Sequence, residues 1–240
     1  MNDYSHDWIA TFLANVDPAQ TEHEIAFLQR QLPSERFRRM LDICCGLGRH
    51  AGALAALGYD VVGIDRDQTM IAEAKLTHPR VRFIAMDVND LASLDLSFDA
   101  AICMWQSFGY LDDASNQRLL ASIASKLDVG GRFVLDIYNR EFFESRQGTS
   151  TSERAGRKIR ETRRMDSDRL RIDLVYNDDA SRVDQFDWQV FTLDQVKALG
   201  AKCGLITDLA CTGFDESKPA SAQSPRMQVV FTRGGTHRLA

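Results

Sequence analysis

No stretch of this 240-residue chain approaches the roughly 18 consecutive apolar residues that a membrane-spanning helix needs. Its first residues, Met1-Asn2-Asp3-Tyr4-Ser5-His6-Asp7, are polar and acidic, unlike the basic start and apolar middle of a secretory signal. Cysteine is scarce and poorly spaced for structural use: there are five, an odd number, and Cys44 and Cys45 are adjacent. That pattern suits neither a disulfide framework nor a zinc site, so the expectation is buried free thiols, no metal and a reducing cytoplasmic setting. Positive charge is in the minority, 29 Lys and Arg against 34 Asp and Glu, which disfavours nucleic acid as the main partner without excluding it. No internal repeat is present, which removes solenoid architectures. What remains is 44% hydrophobic, enough for the core of one α/β domain with a modest insertion.

Apolar periodicity divides the chain clearly. Thr21-Glu22-His23-Glu24 has the form of a capping box opening a helix, with Ile25, Phe27, Leu28 and Leu32 as its apolar stripe. Short buried strands follow at Met40–Cys44, Val61–Asp65, Val81–Met86, Phe98–Met104 and Arg132–Ile137, alternating with helical segments. This alternation implies right-handed crossovers and a doubly wound, mostly parallel sheet covered on both faces. After Gly148 the pattern changes. Thr149–Ser152 reads as a polar linker, and three period-two segments follow, with Leu170, Ile172, Leu174 and Tyr176, then Phe186, Trp188 and Val190, facing one way. Thr192 and Gln195 form another capping box, and Leu205–Cys211 and Met227–Thr232 are expected as closing strands around a polar loop, 215–225. The expected division is a core of 1–148 and 192–240 with an inserted antiparallel flap, 149–191.

In such sheets ligands bind beyond the carboxyl ends of the strands, which puts Cys45 to Arg49, Asp65, Asp87, Trp105 to Gly109 and Tyr138 to Arg140 on one rim. Gly46-Leu47-Gly48-Arg49-His50-Ala51 fits G-x-G-x-x-A, a signal shared with dinucleotide-binding enzymes. Asp42 separates the two cases, because a carboxylate just before the glycine turn gains a pyrophosphate nothing and favours a cationic ligand. Asp65 ends the second strand, where a carboxylate can accept from ribose hydroxyls, and Asp87 ends the third.

Leu41-Asp42-Ile43-Cys44-Cys45-Gly46-Leu47-Gly48 resembles the first motif of class I S-adenosylmethionine (SAM) methyltransferases. Val61–Asp65 and Phe83–Asp87 resemble their second and third motifs, and Leu127-Asp128-Val129-Gly130-Gly131-Arg132-Phe133 resembles the run before their fifth strand. The likeness spans Glu22 to Tyr138, and more loosely Thr192 to Thr232, with Cys44 standing where the family usually has Gly. It implies a Rossmann-like seven-stranded sheet with an antiparallel last strand, SAM as cofactor and S-adenosyl-L-homocysteine as product. Gly46 and Gly48, flanked by Asp42 and Cys45, would let the backbone approach the cofactor. Asp65 would hold the ribose and Asp87 the adenine amine, Val88 would pair with adenine through its N–H, and Met104 or Trp105 would offer a carbonyl to the methionine ammonium.

A small-molecule acceptor, methylated at nitrogen or oxygen, is expected, because the segment Met104–Tyr110 lacks the Asp/Asn-Pro-Pro-Tyr/Phe run of many base and glutamine methyltransferases. Rim candidates for a base are His50, Tyr110 and Tyr138, with Tyr4 or His6 from a folded-over amino terminus. The flap's run of arginines, from Arg154 to Arg171, fits either a charge-protected edge or attraction of an anionic substrate, RNA included. The rival functions are a SAM-fold protein without methyl transfer, such as an aminopropyl transferase or a non-catalytic binding subunit, and a nicotinamide-dependent oxidoreductase.

Overall fold

The computed structural model describes residues 4–235; Met1 to Asp3, part of the polar amino-terminal stretch, and the last five residues of the core segment lie outside them. Two short helical turns, α1 (His6–Trp8) and a π-helical turn at Ile9–Leu13, lead into α2 (Pro18–Gln31). The core continues as β1 (Arg39–Ile43), α3 (Arg49–Ala56), β2 (Asp60–Asp65), α4 (Gln68–Thr77), β3 (Arg82–Ala85), β4 (Phe98–Cys103), α5 (Asp113–Lys126), β5 (Leu127–Tyr138) and α6 (Arg140–Glu144). Then come β6 (Gly148–Arg154), β7 (Arg157–Asp166), β8 (Arg169–Tyr176), β9 (Val183–Gln189), α7 (Leu193–Lys202), β10 (Leu205–Thr212), β11 (Asp215–Pro219) and β12 (Arg226–Arg233).

The main sheet runs β11-β10-β12-β5-β4-β1-β2-β3, with β1 to β5 parallel and β12 antiparallel to both its neighbours. All seven expected strands are present. The eighth, β11, is an edge hairpin drawn from the expected 215–225 loop, where the left-handed turn Gly213-Phe214 folds the chain back on β10. Strand order reverses between β1 and β4, and at that switch point a crevice opens at the carboxyl ends. β1 is buried on both faces: Leu41 and Ile43 join one core with Phe133 and Phe231, and Met40 joins the other with Phe27, Leu28 and Leu54. Each such side chain contributes about 1.5–3 kcal/mol.

Helix α2 starts a turn earlier than expected. Asp17 is its N-cap, accepting from Ala19 N at 2.9 Å, with Pro18 in the first turn. Thr21 instead accepts from Arg49 Nη1 at 2.8 Å, and Glu24 is buried. The Thr192–Gln195 capping box is present as expected.

The insertion is a separate four-stranded antiparallel sheet, β6-β7-β8-β9. The expected linker Thr149–Ser152 is its outer strand: Ala155 and Gly156 both have positive φ, the turn geometry that joins two strands tightly, and pair β6 with β7 from Gly148↔Arg163 to Arg154↔Arg157. Ile159, Leu170, Ile172, Leu174, Tyr176, Phe186 and Trp188 are buried on its inner face. Many of its basic residues are paired, including Arg163 with Glu161, Arg164 with Asp173 and Arg169 with Asp187.

Candidate active site

The turn after β1 is built from left-handed backbone: Cys44 has φ 57°, Gly46 54° and Gly48 77°. The chain thereby leaves the sheet sharply and enters α3 beside a cavity of about 440 Å³. Asp42, Cys45, Gly46, Asp65, Asp87, Val88, Met104 and Trp105 line this cavity, as do His50 and Tyr110. Gly46 has the open position a ligand needs, since an added Cβ would meet only Met70 Sδ, at 3.8 Å. Gly48 differs: it is not part of the lining, and a Cβ there would come within 2.5 Å of the Phe83 ring. Its lack of a side chain leaves room for the Phe83 ring.

Asp42 is 2% exposed, and its Oδ2 has no hydrogen-bond partner. Burial pushes its carboxyl up to about 7, assisted by the charge of Asp65 and opposed by Arg49 and the Ala51 N–H. Such an orphaned carboxylate favours a ligand that brings a cation. Asp65 accepts from Gly46 N at 2.9 Å and from Asp67 N at 3.0 Å, tying the end of β2 to the glycine turn. Asp87 Oδ1 caps a 3-10 turn at Val88–Ser93 through Asn89 N, at 2.9 Å. The Cys44 and Cys45 thiols are raised, Cys44 chiefly by a thiol hydrogen bond with the free Cys103 and Cys45 by burial, so neither is a poised thiolate.

His50 is not an open base. It is buried, with its Nε2 2.8 Å from Glu24 Oε2, and burial holds its imidazole below the ordinary range despite that carboxylate. Glu24 also accepts from Trp105 Nε1 at 2.8 Å and pairs with Arg49 at 2.8 Å. Burial alone would raise its carboxyl, but His50, Arg49 and the indole outweigh it and hold it at about 2. Across the rim, Arg226 pairs with Asp136, whose Oδ2 also accepts from Trp105 N at 2.9 Å. Two buried carboxylates thus fix Trp105, and the Asp136 backbone carbonyl accepts from Gln106 N at 3.1 Å; both residues are left-handed, at φ 56° and 58°. Glu24, Asp136 and Arg226 lie outside the cofactor motifs. Their signal was a charge on a buried face: Glu24 shares its helical face with Phe27 and Leu28, and Asp136 interrupts Val134-Leu135-Asp136-Ile137.

A second cavity, of about 270 Å³, lies between flap and core. Tyr138 lines this one and not the first, whereas Tyr4, Trp8, Trp105 and Tyr110 line both. The amino-terminal segment is pinned there. Asp7 pairs with Arg157 and Arg182, Ser5 donates to Asp184 at 2.7 Å, and the Tyr4 and Tyr110 hydroxyls share a hydrogen bond. His6 is exposed and lines neither cavity.

A family model described as a methyltransferase domain matches residues 40–131. The demethylmenaquinone methyltransferase of Renibacterium salmoninarum is 31% identical over 106 residues, 44% of this chain and 44% of its own. Human glycine N-methyltransferase is 29% identical over 140 residues, 50% of this chain and 48% of its own. The chain thus spans about half the length of the curated relatives it matches. Among solved structures, a SAM-dependent methyltransferase from Clostridium acetobutylicum superposes with a TM-score of 0.79 at 16% identity, covering 96% of this chain and 97% of that one. A SAM-bound amino pentose methyltransferase from Micromonospora echinaspora gives 0.70 at 21% identity, covering 97% and 99%. These likenesses establish the fold, and the glycine turn and β1 to β4 fall inside the matched domain. Residues 40–131 thus match a methyltransferase domain, and the chain as a whole has the fold of the class I SAM-dependent methyltransferases.

Proposed function

We propose that the protein transfers the methyl group of SAM to a small-molecule acceptor, at nitrogen in preference to oxygen. The observation that carries this is Asp42, a buried carboxylate with an unpartnered oxygen beside the open side of Gly46. That pair suits a cationic ligand lying close against backbone. Asp42 would face the charged methionine end, Gly46 would admit it, Asp65 would take the ribose, and Asp87 with Val88 would take the adenine. When bound, SAM supplies the methyl: the acceptor's lone pair forms the new bond as the carbon–sulfur bond breaks, sulfur keeps that electron pair, and the positive charge passes to the acceptor.

The chain's own residues then have mainly to align the reactants, an effect that reaches about 7–11 kcal/mol in well-oriented systems. Trp105 and Tyr110 are suited to this, since both line the two cavities. An alcohol would also need its proton removed as it attacks. The neighbouring side chains are poor bases: burial pushes the Tyr138 phenol up to about 12 and raises Tyr4 and Tyr110, and His50 is committed to Glu24. A neutral amine needs no such help. The names of the human glycine N-methyltransferase and of the amino pentose methyltransferase also favour nitrogen. The flap, 149–191, is assigned as the cover of the acceptor site and the remainder as the SAM-binding core.

Calorimetry with SAM, S-adenosyl-L-homocysteine and NAD tests the cofactor assignment, with saturable binding of the first two expected. Binding of NAD instead would establish the oxidoreductase alternative, and SAM binding without turnover the non-transferring one.

A further inference from the structure

The second cavity has an unusual wall. Eight of its sixteen lining side chains are aromatic, and the rings interlock. Tyr110 and Trp188 lie 5.5 Å apart, Tyr138 meets Trp188 edge-on at 5.4 Å, and Phe186 lies 5.3 Å from Trp188. Tyr4 and Trp8, 4.2 Å apart, close the amino-terminal side. Resting on the methyltransferase reading above, we propose that this cavity is an aromatic box for an alkylammonium group, so that the acceptor is an aliphatic amine whose methylated product is held as a cation.

The physical reason is the ring quadrupole. Aromatic faces carry negative potential and attract cations, most strongly where water is excluded. In the transfer, the nitrogen lone pair forms the carbon–nitrogen bond while the carbon–sulfur bond breaks. Sulfur leaves as a neutral thioether, nitrogen gains the positive charge, and any N–H proton then passes to solvent. Charge therefore develops on nitrogen where the rings can stabilise it. Two rings of this wall already lie beside cations: the Arg154 guanidinium is 5.0 Å from the centre of Phe12, and that of Arg226 5.8 Å from the centre of Trp105.

The formal charges facing the cavity are Arg154, Arg226 and Glu161. Arg226 is compensated by Asp136, with Glu24 at 4.0 Å, and is thus already supplied with carboxylate. Glu161 accepts from Arg163 Nε at 2.6 Å, and Arg154 is exposed at the flap's outer strand. The compensated arginine leaves the rings as the dominant recognition surface. At about 270 Å³ the space is below the range of drug-sized pockets, roughly 300–1,000 Å³, which confines the acceptor to a small molecule or the end of one.

The test uses the full chain saturated with S-adenosyl-L-homocysteine and three probes of nearly equal shape. These are choline, its neutral isostere 3,3-dimethylbutan-1-ol, and the anion 3,3-dimethylbutanoate, each titrated by calorimetry. Choline should bind at least fivefold tighter than the alcohol, with the anion weakest. Tyr138→Leu and Trp188→Leu should each erase that preference, and Tyr138→Phe should retain it, with homocysteine-product affinity unchanged in variants shown folded by circular dichroism. The proposal is overturned if choline shows no saturable binding, if the alcohol or the anion binds as tightly, or if both leucine variants keep the preference. Failure of the wild type to bind S-adenosyl-L-homocysteine would instead remove the methyltransferase reading, and this proposal with it.

Discussion

Asp42 is where a single residue decides most. Its carboxyl is raised from the usual range to about 7, so between the two values the folded protein holds a proton that the unfolded chain has released. Its contribution is therefore most favourable at low pH and is lost as pH rises towards 7. Asp42→Asn should raise the melting temperature of the free protein at pH 8 and do little at pH 4, as read by thermal unfolding. A cationic ligand favours the ionised form, so SAM affinity in the wild type should climb about tenfold per pH unit below 7 and then level off, if Asp42 alone couples. The asparagine variant should bind weakly with no such slope; a slope that survived would assign it to another group.

The two glycines of the turn should separate by mechanism. Gly46→Val puts a branched side chain at φ 54° into the cavity and should abolish SAM binding. Gly48→Ala should mainly lower stability, because its Cβ meets Phe83 and not the ligand. Calorimetry alongside thermal unfolding distinguishes them; equal loss of binding at equal stability would contradict the distinction. G-x-G-x-x-A records that two positions lack a side chain but not what occupies the space.

At the scale of elements, periodicity and caps carried the parallel core from β1 to β5, because buried parallel strands are short apolar runs that leave little ambiguity. Edges were harder. Thr149-Ser150-Thr151-Ser152 is polar because β6 is exposed along its whole length, and polarity alone does not separate an edge strand from a linker. The Ala155-Gly156 turn was the readable clue. The Thr three residues before Glu24 gives it the spacing of a cap, whereas its place beside Phe27 and Leu28 marks it as buried. Hence Asp17→Ala should cost α2 about 0.5–2 kcal/mol in chemical denaturation. Thr21→Ala should cost less by that route and act through Arg49. The reverse ranking would restore the capping box at Thr21.

The molecule as a whole is two sheets with two adjoining cavities that share Tyr4, Trp8, Trp105 and Tyr110. The flap is fastened to the core at Gln189, whose N–H donates to Gly109 O at 2.7 Å and whose side chain accepts from Asn116 Nδ2 at 2.8 Å. Gly109 is needed there, because a Cβ would lie 2.3 Å from Gln189 O. The amino-terminal segment bridges both sheets through Asp7 and Tyr4. Replacing 149–191 with a Gly/Ser linker should spare SAM affinity and abolish transfer, provided circular dichroism shows the core intact. A folded deletion that lost SAM binding, with flap point variants at full turnover, would assign the flap to the cofactor site or the scaffold.

The most direct test of the whole account is to incubate the protein with methyl-labelled SAM and a metabolite extract and follow both products by mass spectrometry. A small amine carrying one labelled methyl, formed in equal amount with S-adenosyl-L-homocysteine and absent with Asp42→Asn, is the predicted result. Tight SAM binding with no label leaving the cofactor, or label recovered only on oxygen, would contradict it.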